Sequence, residues 1–312
     1  MMSFRDSTSR RLRRRVLRRR SGHLVRGLAG VSLAMGLVAA PHAVAAPVAG
    51  GDARNPAVYI ADTFNDRVVK VRPVGDGQRT VAGRGLDLPY GVAVDRHGTV
   101  YIADTRHDRV VKRPAHGGSS TTVGTGLESP YGVAVDHDGN VYIADTGHHR
   151  VVKVAPDGVQ TTVVDQGITS PTAIAPAPDG SLFVNDPYNH RVIKVPPHGG
   201  QFTTVPVDGL ADPAGLALCR DGSLIVADPY NGTVHKVAPN GGPQSTVGVG
   251  LQFPTGVAVT RACDVFIADF NQSRVFRVDA GTGSQTTIGN RLWAPYALAL
   301  GPDRREVTTG GR

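Results

Sequence analysis

The feature that most constrains this chain is a repeat. The segment PYGVAVDRHGTVYIADTRHDRVVK, from Pro89 to Lys112, returns as PYGVAVDHDGNVYIADTGHHRVVK from Pro130 to Lys153. Looser copies begin at Pro171, Pro213 and Pro254, a copy lacking its opening run begins near Ala57, and an isolated opening run, PYALAL, begins at Pro295. A recurring aspartate keeps the phase: Asp62, Asp104, Asp145, Asp186, Asp228 and Asp269 follow one another at 42, 41, 41, 42 and 41 residues. A fixed period of this size means an array of like supersecondary units.

Each unit holds four short β-type runs. In the third they are Tyr131–Asp136, Asn140–Asp145, Arg150–Val154 and Gln160–Val163, with Asp138-Gly139 and Asp157-Gly158 as turns. Runs of Val, Ile and Tyr broken by Gly and Pro suit strands and disfavour a helical repeat. Four antiparallel strands per period, repeated six times, predict an all-β fold, a six-bladed β-propeller of four-stranded blades. The N-terminal part supplies three strands of blade one and Tyr296–Leu300 supplies its innermost strand, which closes the ring and leaves no unpaired unit.

Units of the form P-x-G-V-A-V-D-x-x-G-x-V-Y-I-A-D-T-x-x-x-R-V-V-K-V resemble NHL repeats over nearly all of residues 56–301. The resemblance is most specific in blades two and three. The wording VYIADTGHHRVVKV is most similar to the extracellular sensor propellers of actinobacterial receptor serine/threonine kinases. The sequence contains no kinase segment, so the resemblance implies a sensor-like module by itself.

A formal charge of +8 suggests nucleic acid until its distribution is examined. Residues 1–45 hold ten arginines and one acid, Asp6, and the remainder holds 24 basic and 25 acidic residues, a net charge of −1. The basic region through Arg26, the apolar run Gly27–Ala40 and the small-residue site Ala43-Val44-Ala45 read as a bacterial export signal cleaved after Ala45. Arg14-Arg15-Val16-Leu17 and Ser9-Arg10-Arg11 resemble twin-arginine signals; a very basic general secretory signal is the alternative. The expected organisation is a signal peptide (1–45), a linker (46–55), the propeller (56–303) and a flexible tail (304–312). The mature chain has no segment apolar and long enough to anchor in a membrane. It is expected to be a secreted or envelope-associated monomer that binds no nucleic acid.

A residue present in every blade is first a builder of blades. Arg67, Arg109, Arg150, Arg191 and Arg274 follow the repeated aspartates by five positions, which suggests an Asp–Arg pair across each hairpin; blade five has Thr233 there. Lys70, Lys112, Lys153, Lys194 and Lys236, with Arg277 sixth, form a solvated stripe whose stems can cover sheet surface. Cys219 and Cys263 fall in adjacent blades and are a candidate disulfide, with two reduced thiols as the alternative.

Function is expected on the face that carries the blade junctions and the loops between second and third strands. Ligand-binding candidates there are the junction residues Tyr90, Tyr131, Tyr296, Thr172 and Thr255, and the loop-tip residues Tyr188, Tyr230, His148, His149 and His190. Together they predict a central cup with an aromatic arc and a histidine-bearing side, suited to an exported protein, a peptide or an envelope glycan. No catalytic residue, metal site or cofactor is expected. Peptidyl-hydroxyglycine lyases have similar repeats with zinc-binding histidines after the proline; the matching positions here are Tyr90, Tyr131, Thr172, Ala214, Thr255 and Tyr296. The metal-binding acids of virginiamycin-type lyases and lactonase-like propellers find no match either. The alternative is a propeller lyase or hydrolase working in the same cup.

Overall fold

A computed structural model describes residues 56–72 and 77–302, which lie within the unit Gly50–Arg312. The segments expected to form a signal peptide (1–45), a linker (46–55) and a tail (304–312) lie outside the described residues.

Six four-stranded antiparallel sheets make up the structure. Blade one contains β1 (Val58–Asp62), β2 (Arg67–Val71) and β3 (Gln78–Ala82). Blade two contains β4 (Pro89–Val94), β5 (Val100–Asp104), β6 (Arg109–Arg113) and β7 (Thr121–Val123). Blade three contains β8 (Pro130–Val135), β9 (Val141–Asp145), β10 (Arg150–Val154) and β11 (Gln160–Val164). Blade four contains β12 (Ile174–Pro176), β13 (Leu182–Asp186), β14 (Arg191–Val195) and β15 (Thr203–Val205). Blade five contains β16 (Gly215–Leu218), β17 (Leu224–Asp228), β18 (Thr233–Val237) and β19 (Gln244–Thr246). Blade six contains β20 (Pro254–Val259), β21 (Val265–Asp269), β22 (Arg274–Val278) and β23 (Gln285–Ile288). The last strand, β24 (Pro295–Leu300), pairs with β1 from Val58 opposite Leu300 to Asp62 opposite Pro295, so the two ends of the repeat array complete one blade. The expected closure is observed.

The blades pack face to face through their second strands. Ile60, Ile102, Ile143, Val184, Val226 and Ile267 are all fully buried, one per blade, and each such burial is worth about 1.5–3 kcal/mol. The innermost strands crowd around the axis. A Cβ on Gly91 would stand 2.3 Å from the Tyr131 carbonyl oxygen, and Gly132, Gly215 and Gly256 face the next blade's carbonyl at 2.4, 2.5 and 2.3 Å. Glycine in the P-x-G motif is therefore what lets neighbouring backbones approach. Blades four and one carry Ala173 and Ala297 at that position.

The repeated aspartate is a fully buried clasp. In blade three, Asp145 Oδ1 accepts the Glu128 N–H at 2.7 Å, while Oδ2 accepts from Arg150 Nε at 2.7 Å and His148 Nδ1 at 3.0 Å. Arg150 also donates to the Gly126 carbonyl. The aspartate thus ties its own hairpin to the loop arriving from the preceding blade. Asp62, Asp104 and Asp186 do the same with Arg67, Arg109 and Arg191. The Asp–Arg pair is not universal, however. Gln272 replaces Arg274 as the partner of Asp269, and Asn231 donates to Asp228 in the blade that has Thr233.

The lysine stripe runs over aromatic rings. Lys70, Lys112, Lys153 and Lys194 lie 4.9, 5.9, 5.9 and 5.6 Å from the ring centres of Tyr59, Tyr101, Tyr142 and Phe183. These cations therefore decorate a sheet surface and do not gather into a patch. On the end of the ring opposite the loop face, Cys219 is bonded to Cys263, linking blade five to the first hairpin of blade six with Cα atoms 5.4 Å apart.

Candidate functional site: the aromatic mouth of the channel

Between second and third strands, blades one to four make a short 3-10 turn that ends in a left-handed residue: Asp66, Asp108, His149 and His190, with φ of 50°, 51°, 54° and 51°. Each turn lies beside the next blade's junction. Asp66 accepts the Leu88 N–H and Asp108 the Ser129 N–H. His149 Nδ1 accepts the Ser170 N–H in the same way, and His190 Nδ1 donates to the Ala211 carbonyl. His148 holds Asp145 and lies 3.4 Å from Glu128. The three candidate histidines therefore each have a partner at a blade junction, at separate points around the ring.

The junction tyrosines do converge. Tyr90 and Tyr131 stack with centroids 4.4 Å apart and planes 11° apart, and Tyr296 meets Tyr90 edge-on at 4.7 Å. Burial raises the phenol pKa values of all three above the ordinary range. Their rings cluster with the loop-tip residues Phe64 and Phe270, which the repeat places on this face, and with Phe253 and Trp293, which the repeat comparison overlooked. Phe270 lies 6.3 Å from Tyr296, Phe253 lies 6.0 Å from Phe270, and Phe64 lies between Phe270 and Trp293 at 5.4 and 5.6 Å. Tyr230 extends the chain from Phe253 at 5.6 Å and is 71% exposed; Tyr188 is 72% exposed. Phe253 and Trp293 stand just before the strand rather than after its proline, which is why a search by repeat position missed them.

Beneath this layer the channel encloses about 340 Å3 and is lined by the innermost strands of all six blades. Its wall, among the described residues, carries no carboxylate, imidazole, guanidinium, amine or thiol. Thr255 is buried and its hydroxyl donates to the Tyr296 carbonyl at 2.9 Å; Thr172 donates to the Ala214 carbonyl at 3.4 Å. A divalent ion of the kind implied by lyase and lactonase-like propellers needs several oxygen or nitrogen side-chain donors, and this wall does not fit one. Elsewhere among the described residues, Cys219, Cys263 and Asp221 lie close enough to form a ligand group, but both sulfurs are committed to the disulfide.

One carboxylate at the mouth is unusual. Asp212 is half-buried, and burial, reinforced by Asp228, raises its pKa while His190 opposes the shift. The same carboxylate acts electrostatically on Tyr296. Asp212 precedes the proline of blade five, the column that also supplies Phe253.

A family model described as the SMP-30/gluconolactonase/LRE-like region matches residues 75–186. No curated protein matches the chain in sequence. Among solved structures, a chain of the nidogen/laminin complex is similar with a TM-score of 0.71 and 20% identity, covering 79% of this chain and 98% of that one. A streptogramin B lyase is similar with a TM-score of 0.62 and 14% identity, covering 82% and 90%. A catalytically inactive virginiamycin B lyase from Staphylococcus aureus with quinupristin is similar with a TM-score of 0.57 and 12% identity, covering 77% and 86%. These likenesses establish the propeller fold that this chain shares with binding proteins and lyases alike.

Proposed function

We propose that this chain is an exported, non-catalytic binding propeller that recognises a peptide or protein segment on its aromatic face. The observation that carries the reading is the connected cluster of Trp293, Phe64, Phe270, Phe253, Tyr230, Tyr296, Tyr90 and Tyr131 over a channel whose wall, among the described residues, has no carboxylate, imidazole, guanidinium, amine or thiol. Aromatic side chains with polar tips anchor protein interfaces because they remove large apolar area at little entropic cost. A polypeptide fits better than a glycan, since Tyr90 and Tyr131 occupy each other's ring faces and leave fewer faces open for a sugar to stack on. The similarity to a chain from a complex of two proteins supports the same class. A rigid ring loses little freedom on binding. The disulfide is consistent with an oxidising compartment.

A displayed peptide library selected on the full chain tests this. Selected peptides should lose about tenfold or more in affinity on a Tyr188→Ala/Tyr230→Ala variant, because those exposed rings flank the cluster. Unchanged affinity, or enrichment on a glycan array in place of peptides, refutes the reading.

A lyase or hydrolase reading draws its support from Asp212. A carboxyl held above its usual range can act as a general acid or base beside the Tyr296 ring. Turnover abolished by Asp212→Asn with peptide binding intact would favour that reading over pure recognition.

A further inference from the structure

We infer that the cleft between blades one and two is a second binding site, for a carbohydrate carrying a phosphate or carboxylate group. The cleft encloses about 450 Å3, within the range of about 300–1,000 Å3 typical of small-molecule sites. One wall is β3 with the loop that follows it; the other is β6 with β7.

Two departures from the repeat meet there. The last residue of the third strand is a buried valine in five blades, Val71, Val154, Val195, Val237 and Val278, none more than 7% exposed. Blade two has Arg113 in that place, lining the cleft. The second departure concerns the residue that seals adjacent blades. Gln78, Gln160, Gln244 and Gln285 each donate to a carbonyl of the preceding blade's loop, at 2.8, 3.0, 3.1 and 3.1 Å. Blade four substitutes Phe202, which fills the gap beneath Arg191 at 5.1 Å. Blade two substitutes Ser120, whose short side chain lines the cleft without closing it.

The result is a concave surface with guanidinium groups and hydroxyls but, among the described residues, no lining carboxylate. Arg109 is committed to Asp104 and braces the Gly85 carbonyl, which holds the loop bearing Arg84. Arg84 and Arg113 form no ion pair among the described residues. Guanidiniums recognise carboxylate and phosphate oxygens through paired N–H donors. The hydroxyls of Thr80, Ser120 and Thr122 can both donate to and accept from sugar hydroxyls. The lining has no aromatic ring, which disfavours a nucleobase.

Calorimetric titration of the full chain at low ionic strength tests this, with glucose 6-phosphate, glucuronate, glucose and sodium phosphate as probes. The two anionic sugars should bind saturably and glucose should not. Arg113→Val should weaken binding about tenfold or more and leave the unfolding midpoint unchanged or higher, because it restores the residue of the other five blades. Arg113→Gln gives the same reading should the valine variant fail to fold. Unchanged binding in either variant, or equal responses to the anionic sugars and glucose, overturns the site. Inorganic phosphate binding as tightly as glucose 6-phosphate overturns the carbohydrate assignment. The Tyr188→Ala/Tyr230→Ala variant should bind these probes normally, which separates this site from the aromatic face.

Discussion

Replacing the two members of a buried Asp–Arg clasp should have very unequal effects, and blade three is the place to measure them. Asp145 is fully buried and accepts from Glu128, His148 and Arg150. Asp145→Ala removes all three acceptor contacts and leaves the Glu128 N–H without its acceptor at the blade junction. Breaking a buried charged pair from one side costs about 3–5 kcal/mol. Arg150 is different, because its side chain is 26% exposed and Asp145 keeps the Glu128 N–H and His148 as donors when the guanidinium is removed. Blade five shows the arrangement without an arginine: Asp228 still accepts from Ala211, Asp212 and Asn231 beside Thr233. Arg150→Thr should therefore cost about 1 kcal/mol. Urea unfolding followed by the fluorescence of Trp293, the one tryptophan of the chain, measures both variants at neutral pH. A domain is typically stable by about 5–15 kcal/mol, so the difference is readily resolved. If Arg150→Thr costs as much as Asp145→Ala, the clasp depends on the ion pair and the reasoning from the aspartate's backbone contact fails.

Asn185→Ala should raise stability by about 1–3 kcal/mol, because both polar atoms of this fully buried amide lack a partner and the other blades have alanine there; an unchanged or lower midpoint contradicts this. Replacing Cys219 and Cys263 together by serine should cost about 4 kcal/mol in the chain-entropy picture for a separation of 44 residues. A loss below about 1 kcal/mol would mean that the unfolded chain gains little freedom from opening that loop. The tyrosines of the mouth give an alkaline signature. Their folded pKa values are raised by burial, so their contribution is fully present below the unfolded value of about 10 and is lost as pH rises beyond it. Absorbance at about 295 nm, read alongside unfolding midpoints from about pH 9 to 12, should show late phenol ionisation coupled to falling stability; uniform titration near the ordinary value would rule out a buried cluster.

The repeat was legible because blade-building is local. Strand alternation, turn residues and the phase of Asp62 to Asp269 recur within each unit, and a period of four strands admits few architectures. Even the closing strand could be read, since PYALAL is an inner strand lacking partners of its own. The site was legible only in part. Tyr90, Tyr131 and Tyr296 share one repeat column, and a ring brings such a column around its axis. Phe253, Trp293 and Asp212 lie in loops that join blades, where position in the repeat says little about side-chain direction.

The histidines show where sequence reasoning stops. His149 and His190 look chemically distinctive in a list of loop tips, but the fold seats them at the left-handed position that Asp66 and Asp108 occupy in blades one and two. What Arg113 and Ser120 do depends likewise on neighbours in another blade, because the cleft exists only where two blades meet. Sequence by itself determined the number of blades, their strand order and the way the ring closes, since these follow from hydrogen bonding within each unit. Tertiary structure alone decided which side chains touch across blades, because packing between units depends on the three-dimensional approach of surfaces that the period does not encode.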